Sequence, residues 1–147
     1  MNKIFLNRLK LKTFTEQNVI DYCLLNNIYT DNITELYLRN NELTDISGIK
    51  LFKNLKILFL SENKLTDISA LKDLKNLKEL CLNNNQIKDI SIVQGLKNLE
   101  YINISNLELE FYQIQYIKYL KNLNISCNKL TDISVLNQLN KNIKMII

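Results

Sequence analysis

The chain has 147 residues, of which 46% are hydrophobic and 23% charged, values typical of one soluble domain with its own core. Its net charge of +4 comes from 19 basic and 15 acidic residues spread along the chain, which does not indicate a nucleic-acid-binding protein. Histidine is absent, which excludes the usual Ser–His and Cys–His nucleophile pairs and removes the commonest metal ligand.

The remaining chemistry-bearing residues favour a protein without a catalytic centre. Gly48 and Gly95 are isolated from each other, so the sequence has no glycine-rich phosphate loop. No segment carries the closely spaced D-x-D-x-D cluster that is typical of a calcium site. We therefore predict that the protein is not an enzyme and that it binds no metal ion and no cofactor.

The cysteines and the first residues bear on the location of the protein. Cys23, Cys81 and Cys127 are odd in number and lack a C-x-x-C spacing, which favours reduced thiols. Four basic residues interrupt the opening stretch MNKIFLNRLKLKTF, so it does not resemble a signal peptide. No apolar run approaches the roughly 18 residues that a membrane span needs. These features predict a cytoplasmic protein, with a secreted chain that has lost its leader as the alternative.

Residues 1–32 are predicted to form an N-terminal cap. Residues 15–27, TEQNVIDYCLLNN, have the pattern of an amphipathic helix, and Thr15 is a suitable N-cap. Between Leu6 and Leu11, three leucines follow the spacing L-x-x-L-x-L, which predicts a divergent first strand. The apolar residues at helical spacing, expected to face the core, are Val19, Ile20, Cys23 and Leu24.

After the cap, one string of residues returns with small changes. A sequence repeat of fixed period indicates a stacked structural unit, because one unit cannot bury its apolar face alone. The unit is about 22 residues long and follows L-x-x-L-x-L-x-x-N-x-L-x-D-I-S-x-L-x-x-L. Near-copies are LRNNELTDIS at 38–47, LSENKLTDIS at 60–69, LNNNQIKDIS at 82–91 and ISCNKLTDIS at 125–134.

The positions within the unit predict its local structure. Leu58 and Leu60 lie two residues apart, so in a strand both side chains point into the core. Asn63 follows where the chain must turn, and its amide can bond the backbone of its own turn and of the next coil. The predicted ladder of structural asparagines is Asn41, Asn63, Asn85 and Asn128. The predicted turn and cap partners on the return segment are Asp45, Asp67, Asp89, Asp132, Ser47, Ser69, Ser91 and Ser134.

This pattern resembles the leucine-rich repeat family, specifically the 22-residue class typified by internalins and the SDS22-like proteins. The resemblance implies an α/β right-handed solenoid with a parallel sheet on its concave face and short helical, 3₁₀ or extended segments on its convex face. It also implies a scaffold that binds a protein partner. We predict a single domain, with the N-terminal cap followed by about five repeats at 33–142. Residues 143–147 are predicted to start a C-terminal strand or to form an incomplete cap.

The outward strand positions predict where a partner binds. They gather aromatic and aliphatic residues on the N-terminal half of the sheet, with charged residues around them, which is the usual anatomy of a protein-binding surface. The alternative is that strand propensity alone favours such residues there. The predicted partner-binding residues are Tyr37, Ile57, Phe59, Cys81, Tyr101, Glu35, Arg39 and Glu79.

The fourth unit departs from the pattern, because Leu107 replaces the asparagine, Phe111 replaces the aspartate, and one residue is missing. Its return segment is predicted to be helical, with Ile114 and Ile117 facing the core. Two interpretations stay open: a repeat repacked with larger side chains, or a second contact site on the convex side. The tyrosines of that possible site, spaced i, i+4 and i+7, are Tyr112, Tyr116 and Tyr119.

The final stretch NIKMII resembles the start of a further strand, with Ile143 and Ile146 in core positions. It lacks a polar cap, so this edge either closes the stack imperfectly or meets another chain. Self-association through this edge is therefore the alternative to partner binding on the concave face. Contact of the recurring lysines with nucleic acid is disfavoured by the weak net charge.

Overall fold

The structure, a computed structural model, describes residues 2–117, 120–129, 136, 139 and 141–147. Within these residues, seven short strands form one parallel sheet in chain order. The strands are β1 (Lys3–Phe5), β2 (Glu35–Tyr37), β3 (Ile57–Phe59), β4 (Glu79–Cys81), β5 (Tyr101–Asn103), β6 (Asn122–Asn124) and β7 (Lys144–Ile146).

Helical segments form the other side of the coil. An α-helix, α1 (Glu16–Leu25), lies between the first two strands, and the return segments contain short 3₁₀ helices. Those 3₁₀ helices are Thr30–Asn32, Ser47–Leu51, Ser69–Leu71, Ser91–Gly95 and Phe111–Ile117. The parallel sheet, the short convex segments and the helical cap confirm the predicted solenoid.

The register of the sheet follows the repeat. From β2 to β5 each strand residue pairs with the residue 22 positions later, as Leu36 does with Leu58. Between β5 and β6 the offset is 21, because the fourth unit is one residue short. The middle residue of each of these strands is buried, and both Leu58 and Leu60 are 0% exposed, as predicted. The residues on either side of the middle therefore lie together on the opposite, concave face.

The asparagines after the strands hold adjacent coils together. The Oδ1 atom of Asn63 accepts the N–H of Leu43 at 3.0 Å, and its Nδ2 atom donates to the carbonyls of Leu38 and Leu60. Leu38 and Leu43 belong to the preceding coil, so the expectation of a bond to the next coil was wrong. The reason is that the turn that carries Asn63 lies against the strand end and the turn of the preceding coil, where Leu38 and Leu43 present their backbone groups. The same position is occupied by Asn41, Asn85 and Asn128.

Aspartate and serine close the turn that enters each return segment. The N–H of Ser47, Ser69 and Ser91 donates to the carboxylate two residues earlier, at 2.7–2.8 Å. This short bond fixes the turn locally, which agrees with the predicted role of the D-I-S triplet. The corresponding Asp132 and Ser134 lie outside the described residues.

The cap helix begins where the sequence predicted. Thr15 is its N-cap and exchanges hydrogen bonds with Asn18 in a capping box. Val19 and Cys23 are buried, but Ile20 is 43% and Leu24 76% exposed, so their assignment to the core was wrong. The helix packs on the 3₁₀ segment Ser47–Leu51.

The first strand lies earlier than predicted, whereas the last strand lies within the predicted residues 143–147 but in a different register. Ile4, not a leucine of the 6–11 segment, pairs with Leu36 and is 1% exposed. At the other end Met145 pairs with Leu123, while Ile146 lies opposite Asn124 and is 60% exposed, so its assignment to the core was wrong. Because side chains alternate along a strand, a slip of one residue moves a side chain to the opposite face.

The irregular fourth unit packs by replacement. Its return segment is a 3₁₀ helix with Ile114 and Ile117 buried, and Leu107 is 1% exposed in the asparagine position. Gln113, which the sequence did not single out, is 4% exposed, and its amide oxygen accepts the N–H of Ile90 at 3.1 Å. This bond links the unit to the coil before it.

The two described tyrosines of the convex segment, Tyr112 and Tyr116, differ in exposure. Tyr112 is 47% exposed, whereas Tyr116 packs partly against the core. The predicted spacing assumed an α-helix, but a 3₁₀ helix has three residues per turn, so residues four apart point in different directions. Tyr119 lies outside the described residues.

Candidate partner-binding surface

Three aromatic rings lie side by side on the concave face. The ring of Phe5 stacks on Tyr37 with centroids 4.6 Å apart, and Tyr37 meets Phe59 edge-on at 5.1 Å. The in-register pairing of β1, β2 and β3 places these residues opposite one another, and strands about 4.8 Å apart suit ring contacts. We call these three residues the aromatic row. Phe5 is 61% exposed. The sequence did not indicate it as a surface residue, because the first strand was predicted between Leu6 and Leu11.

Polar contacts fix the central ring of the aromatic row. The hydroxyl of Tyr37 donates to Glu35 at 2.7 Å, and the ammonium of Lys3 lies 3.0 Å from the same carboxylate. Burial, followed by the hydrogen bond to Glu35, raises the pKa of Tyr37 to about 12. The hydrogen bond from Tyr37 is the main cause that lowers the pKa of Glu35. At neutral pH the phenol is therefore neutral, the carboxylate charged, and the ring held in one orientation.

A second column of concave residues lies beside the aromatic row. The in-register strands place Ile57 between Glu35 and Glu79, and place Tyr101 on the far side of Glu79. All four side chains are half-buried, so each still presents part of its surface to solvent. The concave face thus joins an apolar floor to two carboxylates.

Cys81 lies in this region, but it offers little surface to a partner. Its side chain is 8% exposed, since Phe59 and Asn103 lie opposite it on the neighbouring strands. Burial, and then the negative charge of Glu79, raises the pKa of Cys81 to about 12. The thiol lies on the concave face between larger side chains and offers a partner little surface, and its contact with a partner stays a prediction.

A charged pair borders the concave patch, the name we use for the aromatic row together with Glu35, Ile57, Glu79 and Tyr101. The pair lies on the side where the strands run into their turns. The Nε of Arg39 donates to Glu62 at 2.9 Å, and the amide of Asn40 donates to the same carboxylate at 3.1 Å. Such a solvent-exposed pair contributes about 0–1 kcal/mol to stability. Its larger effect is to fix the guanidinium of Arg39 beside the aromatic row.

Comparisons with known families agree with this architecture. Profiles described as leucine rich repeats match residues 31–87, 75–113 and 116–136. The chain is a leucine-rich repeat protein. Proteins of this family are generally protein-interaction scaffolds.

Several solved structures share the fold of this leucine-rich repeat protein. The internalin inlF of Listeria monocytogenes is 32% identical with a TM-score of 0.73, and the match covers 79% of this chain but 35% of that internalin. Internalin C2 of the same species is 26% identical with a TM-score of 0.66, and the match covers 97% of this chain and 69% of the internalin C2 chain. The leucine-rich repeat domain of APL1B is 21% identical with a TM-score of 0.72, and the match covers 88% of this chain and 39% of the APL1B chain. A search of curated proteins found no match.

The C-terminal half of the repeat sheet has a different surface. The side chains of Asn103 and Asn124 each accept the N–H and the hydroxyl of the serine two residues later, at 2.8–3.1 Å. The two amide oxygens are thus bonded within their own coils. Most of the apolar residues described on the concave face lie on β1 to β5, and Ile146 of β7 is separated from them by Asn103 and Asn124.

The described part of the leucine-rich repeat protein contains no group of three or more His, Cys, Asp or Glu residues placed to hold a metal ion. Among the helices in that part, none is long and apolar enough to cross a membrane.

Proposed function

We propose that this leucine-rich repeat protein is a non-catalytic scaffold that binds a protein partner through its concave face. The observation that carries the proposal is the aromatic row, three rings in contact on an open sheet surface. Ile57 and Tyr101 extend the apolar area, and Glu35, Glu79 and Arg39 lie around it. Neighbouring rings bury part of one another, but the row fills no core, and an apolar centre with a charged rim is typical of a protein-binding surface.

Rigidity supports the same function. Tyr37 and Phe59 lie on strands whose following turns are held by the buried Asn41 and Asn63 and whose inward residues are buried leucines. Tyr37 is held further by its bond to Glu35. A surface that is ordered before binding loses little conformational entropy when a partner docks, so more of the contact energy appears as affinity.

The experiment compares the chain with its Tyr37→Ala, Phe59→Ala double variant. Each is immobilised, incubated with extract of the source cells and crosslinked, and captured proteins are identified by mass spectrometry. Truncation of one hot-spot residue costs about 2 kcal/mol or more, which is about thirtyfold in affinity, and such costs are not additive. Loss of both rings should therefore lower specific capture by at least about thirtyfold.

Tyr112→Ala is the matched control, because Tyr112 is an exposed tyrosine on the convex side. This variant should retain capture. Loss of capture with Tyr112→Ala but not with the double variant would move the binding surface to the convex side. A large drop in the melting temperature of the double variant would show that the rings stabilise the fold instead of meeting a partner.

A further inference from the structure

Glu79 has no ion-pair partner among the described residues, unlike most of the glutamates there. Among the described residues, the other glutamates are paired with a lysine or arginine except for Glu110. Glu110 is exposed beside the 3₁₀ helix of the fourth unit, whereas Glu79 is half-buried in the middle of the concave patch. The paired carboxylates are Glu16 with Lys50, Glu35 with Lys3, Glu42 with Lys64, Glu62 with Arg39, Glu100 with Lys121, and Glu108 with Lys129.

The residues that the structure describes around Glu79 do not compensate its charge. Its nearest strand neighbours are Ile57 and Tyr101, which carry no positive charge. Its negative charge contributes to raising the pKa of Tyr37, Cys81 and Tyr101, so its field extends over the patch. The cations nearest to the patch are already engaged, Lys3 by Glu35 and Arg39 by Glu62.

The groups around Glu79 suit one kind of side chain. A lysine or arginine combines a long aliphatic stem with a charged head. The stem can lie on Ile57 and the rings of Tyr37 and Tyr101, while the head meets the carboxylate. Aromatic faces also attract a cation directly. A partner without a cation would instead cover an unpaired charge, which is unfavourable.

We propose that Glu79 receives a lysine or arginine side chain of the protein partner, as the charged anchor of the concave patch. The inference rests on the proposed function, because it assumes that a protein docks on this face. It adds the chemistry of the docked segment, a basic side chain flanked by apolar residues that cover the aromatic row.

The test uses a displayed library of random 12-residue peptides, selected on the immobilised full-length chain. The most enriched peptide is synthesised, together with an analogue in which each lysine or arginine is replaced by glutamine. Binding of both is measured by calorimetry to the native chain, to Glu79→Gln, to Glu110→Gln and to the Tyr37→Ala, Phe59→Ala double variant. Glu110→Gln is the matched control, because it removes the same charge at an unpaired glutamate outside the patch.

We expect one basic position to recur in the selected peptides. Its replacement should weaken binding to the native chain at least tenfold, and Glu79→Gln should weaken binding of the basic peptide by a similar factor. The two changes together should cost little more than either alone, because both remove the same contact. Glu110→Gln should leave affinity within twofold.

The outcomes separate this inference from the proposed function. Peptides that lose binding to the double variant but bind native and Glu79→Gln chains equally would overturn the role of Glu79 and leave the concave function standing. Peptides that bind the double variant unchanged would overturn both. Acidic or uncharged peptides recovered as the main class, or no enrichment at all, would also count against a basic anchor.

Discussion

Removal of one ladder asparagine tests how the coils are held together. In Asn63→Ala the side-chain amide is lost from a site that is 8% exposed. Asn63 supplies the acceptor for the Leu43 N–H at 3.0 Å and donates to the carbonyls of Leu38 and Leu60 at 3.0 and 2.9 Å. Those two carbonyls keep a second donor, from Asn41 and Asn85 respectively.

The expected cost follows from these contacts. The Leu43 N–H is left in a buried site without its acceptor, which costs about 2 kcal/mol, and each shared carbonyl loses one of two bonds at about 0.5 kcal/mol. The free energy of unfolding should therefore fall by about 3 kcal/mol. Urea denaturation followed by circular dichroism measures this change directly.

Asn76→Ala is the control for this prediction. Asn76 is exposed and donates one bond, to the carbonyl of Lys53 at 3.1 Å, so its loss should cost less than about 1 kcal/mol. Equal effects of the two substitutions, or a loss below about 1 kcal/mol for Asn63→Ala, would refute the view that buried amides link the coils.

Two further predictions concern packing and thiol chemistry. Gly48→Ala should destabilise the fold by about 1–3 kcal/mol, because a Cβ there would collide with the carbonyl groups of Phe14 and Thr15. Urea denaturation measures both glycine substitutions, and Gly95→Ala should be nearly neutral, since the nearest atom is the mobile end of Lys75. Equal effects of the two substitutions would contradict this explanation. Cys127 is exposed while Cys23 and Cys81 are buried with raised pKa values, so Ellman's reagent at pH 8 should modify one thiol per folded chain rapidly. A Cys127→Ser variant that still reacts rapidly would show that one of the buried thiols is accessible.

The sequence predicted the structure of the repeats more accurately than that of the two ends of the chain. Within the repeats, alternation around Leu58 and the 22-residue period predicted both the core and the neighbours across the sheet. At the ends the period is lost: β1 lies earlier in the chain than predicted, and β7 lies within the predicted residues 143–147 but places Met145, not Ile146, opposite Leu123. A repeat constrains register because every coil must match its neighbour, but an end strand has a neighbour on one side only, so its sequence is less constrained.

The candidate surface was predictable in part for the same reason. The column Tyr37, Phe59 and Cys81 follows from alternation alone, but burial of Cys81 depends on how large its neighbours are and where they point. Phe5 joined the surface because β1 pairs with β2. The sequence does not show that Glu79 lacks an ion-pair partner among the described residues, because this depends on where their lysine and arginine side chains lie in space.

The sequence by itself determined the repeating coil, its buried leucines and the asparagine and aspartate turns, because these depend on spacing within one unit and on contacts between identical units. Tertiary structure decided how Phe5, Tyr37 and Phe59 meet, which cap residues stay exposed, and that Glu79 has no ion-pair partner among the described residues. Those properties arise from side chains of different units meeting in space. Such contacts between coils depend on the register of the sheet, so the local sequence of one coil does not specify them.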